Sequence, residues 1–200
     1  MINKFIKAVF ATVFFILVML TVYALHMALF RVNVVFYAAI ADALMASVIC
    51  GILMFSVGCF RIFSSFEKLQ FVLIWLLSGY AFAISIPTVI DRSLSFYILE
   101  KIQQRGGGIR QDAFEQVFTQ EYVREHRLVD VRITEQLESG TIEIKNGCVL
   151  LTAKGERVAA FGRYYRTHWL PKQRLLMGVY SADLTDPFKN SAMTYDYKCK

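Results

Sequence analysis

The chain has 200 residues, 56% of them hydrophobic and 19% charged, with a formal net charge of +6 and a mean hydropathy of +0.45. A single water-soluble domain does not carry so much apolar sequence unless it is concentrated in one region. The positive charge divides evenly, +3 up to Ile90 and +3 beyond it, and so falls short of the dense basic stripe of a dedicated nucleic-acid binder.

The apolar residues are concentrated at the start. From Met1 to Ile90 the ionised side chains are Lys4, Lys7, Arg31, Asp42, Arg61, Glu67 and Lys68, and the other 17 of 22 basic and 14 of 16 acidic residues follow. This predicts a membrane α-helical region over 1–90, with three transmembrane helices at about 5–25, 34–56 and 70–90. Each run reaches the roughly 20 residues that a helix needs to cross about 30 Å of hydrocarbon while satisfying its own backbone. The first run follows Lys4 and Lys7 as a signal peptide would. It is too long for one, has no small-x-small cleavage site and is followed by further spans, so it reads as a signal anchor. The lipid bilayer is thus an expected partner, and a multi-pass place in the cell (inner) membrane is the expected location.

Lys4, Lys7, Arg61 and Lys68 fall on one side of these spans and Arg31 on the other. The positive-inside rule then holds the N-terminus in the cytoplasm and sends the second half across, whereas Arg92, Lys101, Arg105 and Arg110 pull the other way. The side of the soluble half therefore stays open. Asp42 is the one carboxylate within a span. Such a group suggests a pathway or a partner, but no second ionisable residue is found inside a span to form a relay. His26, at a span end, reads as an interfacial side chain. Pro87 should bend or end the third span, with Asp91 or Ser93 capping the next helix.

Beyond Asp91 the pattern changes to short amphipathic elements, predicting a small α+β soluble domain over 91–171 and a polar C-terminal tail over 172–200. A helix at 92–104 shows Leu94, Ile98 and Ile102 at helical spacing, and Gly106, Gly107 and Gly108 end it. A second helix spans about 111–125, with Phe114, Val117, Phe118 and Tyr122 along one side. A third spans about 128–138, with Val129, Ile133 and Leu137 spaced four apart. Strand-like alternation from Thr141 to Lys145, then Asn146-Gly147, then Cys148 to Leu151 predicts a hairpin. Thr152 caps a last helix that Pro171 stops. Cys50 and Cys59 lie in or beside a span, and Cys148 with Cys199 suggests no disulfide framework or metal cluster.

The order helix, helix, helix, hairpin, helix, together with Leu150-Leu151-Thr152-Ala153-Lys154-Gly155-Glu156-Arg157, resembles a winged helix-turn-helix domain leaving its wing. That resemblance implies a recognition function for the third helix. Here this helix carries Arg132 and Gln136 beside Asp130, Glu135 and Glu138, a face that phosphates repel. DNA is accordingly the disfavoured partner, and Arg132, Glu135 and Gln136 are the candidate contacts to a protein partner. Arg157, Arg163 and Arg166, interleaved with Tyr164 and Tyr165, suit acidic headgroups or a protein. His126 and His168 sit in no catalytic or metal-binding spacing, and no catalytic residue or cofactor is expected. The expected function is a non-enzymatic accessory or scaffold protein of a membrane or envelope assembly, the alternative being a membrane-integrated winged-helix regulator.

Overall fold

A computed structural model describes residues 2–188 and 199. Part of the expected polar tail, 189–198, lies outside the described residues. By internal contacts the chain divides into two compact units, Met1–Leu128 and Val129–Lys200.

The first unit opens with α1 (Ile2–Leu29), α2 (Val35–Ser56) and α3 (Ser65–Arg92), each long and apolar enough to cross a membrane. Lys4 Nζ meets Glu67 Oε1 at 2.6 Å and Lys7 Nζ donates to the Cys59 carbonyl at 3.0 Å. The starts of α1 and α3 and the α2–α3 connection therefore share one end, and the three helices run up, down and up. Ser64 and Glu67 form a capping box that fixes where α3 begins. Small residues set how closely the helices pack: Ala39, Ala43 and Ala46 of α2 and Gly79 and Ala83 of α3 are buried. A Cβ on Gly79 would lie 2.7 Å from Ala43 Cβ, so only glycine fits. Phe15 stacks on Trp75 with ring centroids 5.2 Å apart, and Met19, Cys50 and Met54 fill the remaining core. Phe5, Leu17, Ile52 and Leu77 point outward, as surfaces meant for hydrocarbon do.

Pro87 does not end α3. The helix widens to a π-helical turn over Ile84–Thr88 and continues to Arg92. Proline cannot donate to the carbonyl four residues back, Ala83 O, and the Thr88 hydroxyl donates to it instead at 2.7 Å. Ser93, one of the two expected caps, then accepts from Phe96 N to start α4 (Leu94–Gln104). Gly106 and Gly107, both at positive φ, turn the chain out of α4. The helical stretch α5, 111–125, includes a π-helical segment at Val117–Tyr122. On α4, Leu94 and Leu99 are exposed, Ile98 and Ile102 are half-buried, and the fully buried side chains are Tyr97 and Lys101.

The second unit takes in α6 (Leu128–Glu138), β1 (Ile142–Lys145), β2 (Cys148–Leu151) and α7 (Ala153–His168). Strands β1 and β2 pair antiparallel, with Lys145 opposite Cys148. Asn146 and Gly147 both have positive φ, the geometry of the tight hairpin turn that their sequence predicts. Thr152 caps α7 by accepting from Gly155 N. Gly155 is pinned beneath the hairpin, since a Cβ there would lie 2.0 Å from the Thr141 carbonyl oxygen.

A second hairpin, β3 (Arg174–Leu176) and β4 (Val179–Ser181), occupies part of the expected tail. It turns through Met177-Gly178, both at positive φ. Cys148 and Cys199 are joined by a disulfide across 51 residues of sequence, so the reading of these cysteines as unlinked is corrected. Closing a loop of that length is worth about 4 kcal/mol in the chain-entropy account.

Candidate functional site

Asp42 is 1% exposed on α2, and α1 brings it a partner that the sequence reading missed. His26 Nδ1 lies 2.6 Å from Asp42 Oδ1. The two residues are 16 apart in sequence and on different helices, so neither spacing nor periodicity signals the contact. His26 thus acts as more than an interfacial side chain: it supplies the second ionisable group that an isolated buried carboxylate lacks. Asp42 Oδ2 and Trp75 Nε1 are buried without a hydrogen-bond partner among the described residues. Phe30 stands edge-on to the His26 ring, and Tyr23 stands edge-on to Phe82.

A second polar cluster binds α4 to α5. Lys101, 5% exposed, places Nζ 2.6 Å from both Glu121 Oε2 and Glu125 Oε1. Arg105 Nη2 reaches both Glu121 oxygens at 3.1 Å, and the Tyr97 hydroxyl donates to Glu125 Oε2 at 2.9 Å. The Lys101 hydrogen bond, followed by that of Arg105, holds the Glu121 carboxyl below its ordinary value. The Lys101 and Tyr97 bonds do the same for Glu125. Glu121 and then Glu125 raise Lys101, and burial, reinforced by the bond to Glu125, pushes the Tyr97 phenol up to about 12. His126 sits edge-on to Tyr97 at 5.1 Å, an aromatic packing role. The charges of Lys101, Arg105, Glu121 and Glu125 are paired with one another, which clamps α4 to α5.

The three candidate partner contacts on α6 are engaged within their own unit. Arg132 Nη1 pairs with Glu135 Oε2 at 2.7 Å, with the Glu135 side chain largely buried. The Thr141 hydroxyl donates to the Gln136 side-chain oxygen. The apolar face of α6 is instead uncovered: Val129 is 58% exposed, and Leu137 is exposed with it. On α7, Phe161 to Tyr165 and Tyr165 to Trp169 form a ladder of rings 6.0 and 6.4 Å apart, and Tyr164 stacks on His168 at 4.4 Å. No group of three metal-ligating side chains occurs among the described residues.

Two outcomes follow from these clusters. His26→Ala removes the hydrogen-bond partner of the buried Asp42 side chain and should cost about 1–3 kcal/mol of stability in detergent, whereas His26→Ala with Asp42→Ala should recover much of that loss. Equal melting of the single and double variants would show that the two side chains are not coupled. For the Lys101 cluster, the lowered Glu121 and Glu125 values contribute stability that is present above their ordinary 4.5 and lost as pH falls through the folded values. The raised Lys101 contributes below 10.5 and is lost as pH rises through its folded value. Thermal melts of the full chain should therefore show a plateau between those limits, and Lys101→Met should lower it and flatten both limbs.

The chain matches no protein-family model, no curated protein and no solved structure, so what it does rests on the chemistry of its own side chains.

Proposed function

We propose that the chain is a non-enzymatic accessory or scaffold protein of the cell membrane, which anchors by three spans and offers its C-terminal module to a protein partner. The observation that carries this reading is the uncovered apolar surface of the module. Val129 and Leu137 of α6, Leu151 of β2, and Leu175, Met177 and Val179 of the second hairpin are all exposed, Met177 at 83%. Leu176 and Val179 share one face of the second hairpin and Leu175 and Tyr180 the other, and exposed apolar side chains of this kind suit a docking face. The described residues supply polar clusters that are answered internally and no nucleophile, base and orienting group in sequence with one another, which favours docking over catalysis.

Two observations support placing the module on the far side of the membrane from the N-terminus. The end of the bundle that holds Lys4 and Lys7 also holds the connection with Arg61, while Arg31 and Arg92 belong to the other end, which by the positive-inside rule keeps the N-terminus in the cytoplasm. A Cys148–Cys199 disulfide persists in an oxidising compartment and not in the cytosol. The order α4, α5, α6, first hairpin, α7, which draws on both units, supports the winged-helix likeness as a shape for protein docking. The regulator reading needs the same module in the cytoplasm and a basic third helix, and α6 offers Arg132 already paired to Glu135.

Docking is tested by placing a photo-crosslinking amino acid at Val179 or Val129 of the full chain in living cells. A discrete adduct from both positions, lost on Leu176→Asp, is the expected result, and a band of twice the chain mass would identify the partner as a second copy. Adducts to lipid only, or none at either position, would overturn the reading.

A further inference from the structure

The 100° step of a helix gathers Lys154, Arg157, Val158, Phe161, Tyr164, Tyr165, His168 and Trp169 within an arc of about 140° on α7 and its capping residue. Within this arc Val158, Phe161, Tyr164, Tyr165 and Trp169 are all exposed, Trp169 at 68%. Gly155, held beneath the Thr141 carbonyl, lies beyond the arc and marks the side of α7 that faces its own unit. Of the four basic side chains of the helix, Lys154 and Arg157 lie within the arc, whereas Arg163, Arg166 and the single acid Glu156 fall outside it. Arg157 has no ion-pair partner among the described residues, and Lys154 Nζ donates to the Ser139 carbonyl. The rings are already stacked on one another, so little side-chain freedom remains to be lost on binding.

We propose that this face of α7 is an interfacial membrane-binding helix whose ligands are the phosphate-bearing headgroups of anionic lipids. This goes beyond partner docking, which is assigned to α6 and the second hairpin. Tyrosine and tryptophan combine an apolar ring with a polar tip and settle at headgroup depth. Arginine and lysine bury their stems along the apolar boundary while the charged heads reach phosphate oxygens. A helix with aromatics on one face, basic residues along it and modest overall hydrophobicity lies in the interface plane instead of crossing. Charge complementarity selects anionic lipid over zwitterionic lipid. The three spans of the same chain keep a bilayer permanently at high effective concentration.

Trp169 reports directly on this. The full-length protein is reconstituted into vesicles of phosphatidylcholine alone and of phosphatidylcholine mixed with phosphatidylglycerol, and the Trp169 signal is isolated by difference against Trp169→Phe, because Trp75 is the other tryptophan. In the anionic vesicles Trp169 emission should shift to the blue, resist aqueous acrylamide and be quenched by brominated acyl chains. High salt should partly reverse this. Arg157→Glu with Lys154→Gln should restore acrylamide access, each removed basic residue weakening the association about five-fold, whereas Arg163→Glu, outside the arc, should leave it unchanged, with far-ultraviolet circular dichroism confirming that the variants stay folded. Equal acrylamide access in both vesicle types would overturn the proposal. So would equal shielding in both vesicles and in detergent, which would mean that protein covers the face. The hairpin crosslinks are read separately, so either outcome leaves the docking reading to stand or fall by itself.

Discussion

Hydrocarbon offers no hydrogen-bond partner to a polar group, and the first 92 residues are arranged around that constraint. Three helices satisfy their own backbones, and the two places where helix alone is not enough are each repaired locally. At Pro87, where a donor is missing, the turn widens and the Thr88 hydroxyl takes over the Ala83 carbonyl. At Asp42, where a carboxylate is buried, α1 delivers His26 to within 2.6 Å. Both repairs require the helices to sit close together. Gly79 against Ala43 permits this, since any side chain there would separate α2 from α3.

The second unit answers to a different constraint. Its strands are three and four residues long, and most of its apolar side chains remain exposed. Such a module cannot draw its stability from a deep core, and it relies on tight turns, the Thr152 cap, the close seat of Gly155 and the Cys148–Cys199 bond. The same shortage of core leaves α6, the second hairpin and α7 with surfaces for something else to cover.

The spans were legible because charge is absent over long runs, and a long apolar run has few alternative readings. Asn146-Gly147 and Thr152 were legible because their chemistry acts on the adjacent backbone. What escaped was either non-local or locally disguised. His26–Asp42 and Cys148–Cys199 join residues whose contact depends on the tertiary path. Met177-Gly178 turns a hairpin through a methionine, a residue that does not announce a positive φ. The burial of Lys101 on α4 escaped because a lysine reads as solvent-facing unless the carboxylates of Glu121 and Glu125 are known to be waiting for it. Glu135 was placed on an open surface, yet its pairing with Arg132 turns it inward.

The account turns on the C-terminal module lying across the membrane from the N-terminus. The direct measurement uses the full chain with Cys50→Ala and Cys59→Ala, so that Cys148 and Cys199 are the remaining thiols. Free thiols are blocked in intact cells, and the protein is then reduced and labelled with a mass tag. Two tags per chain after reduction, and none when reduction is omitted after an earlier tagging step, is the predicted result, together with activity from a C-terminal reporter enzyme that folds only outside the cytoplasm. Cys148 and Cys199 fully blocked before reduction, with an inactive reporter, would place the module in the cytosol and contradict the account.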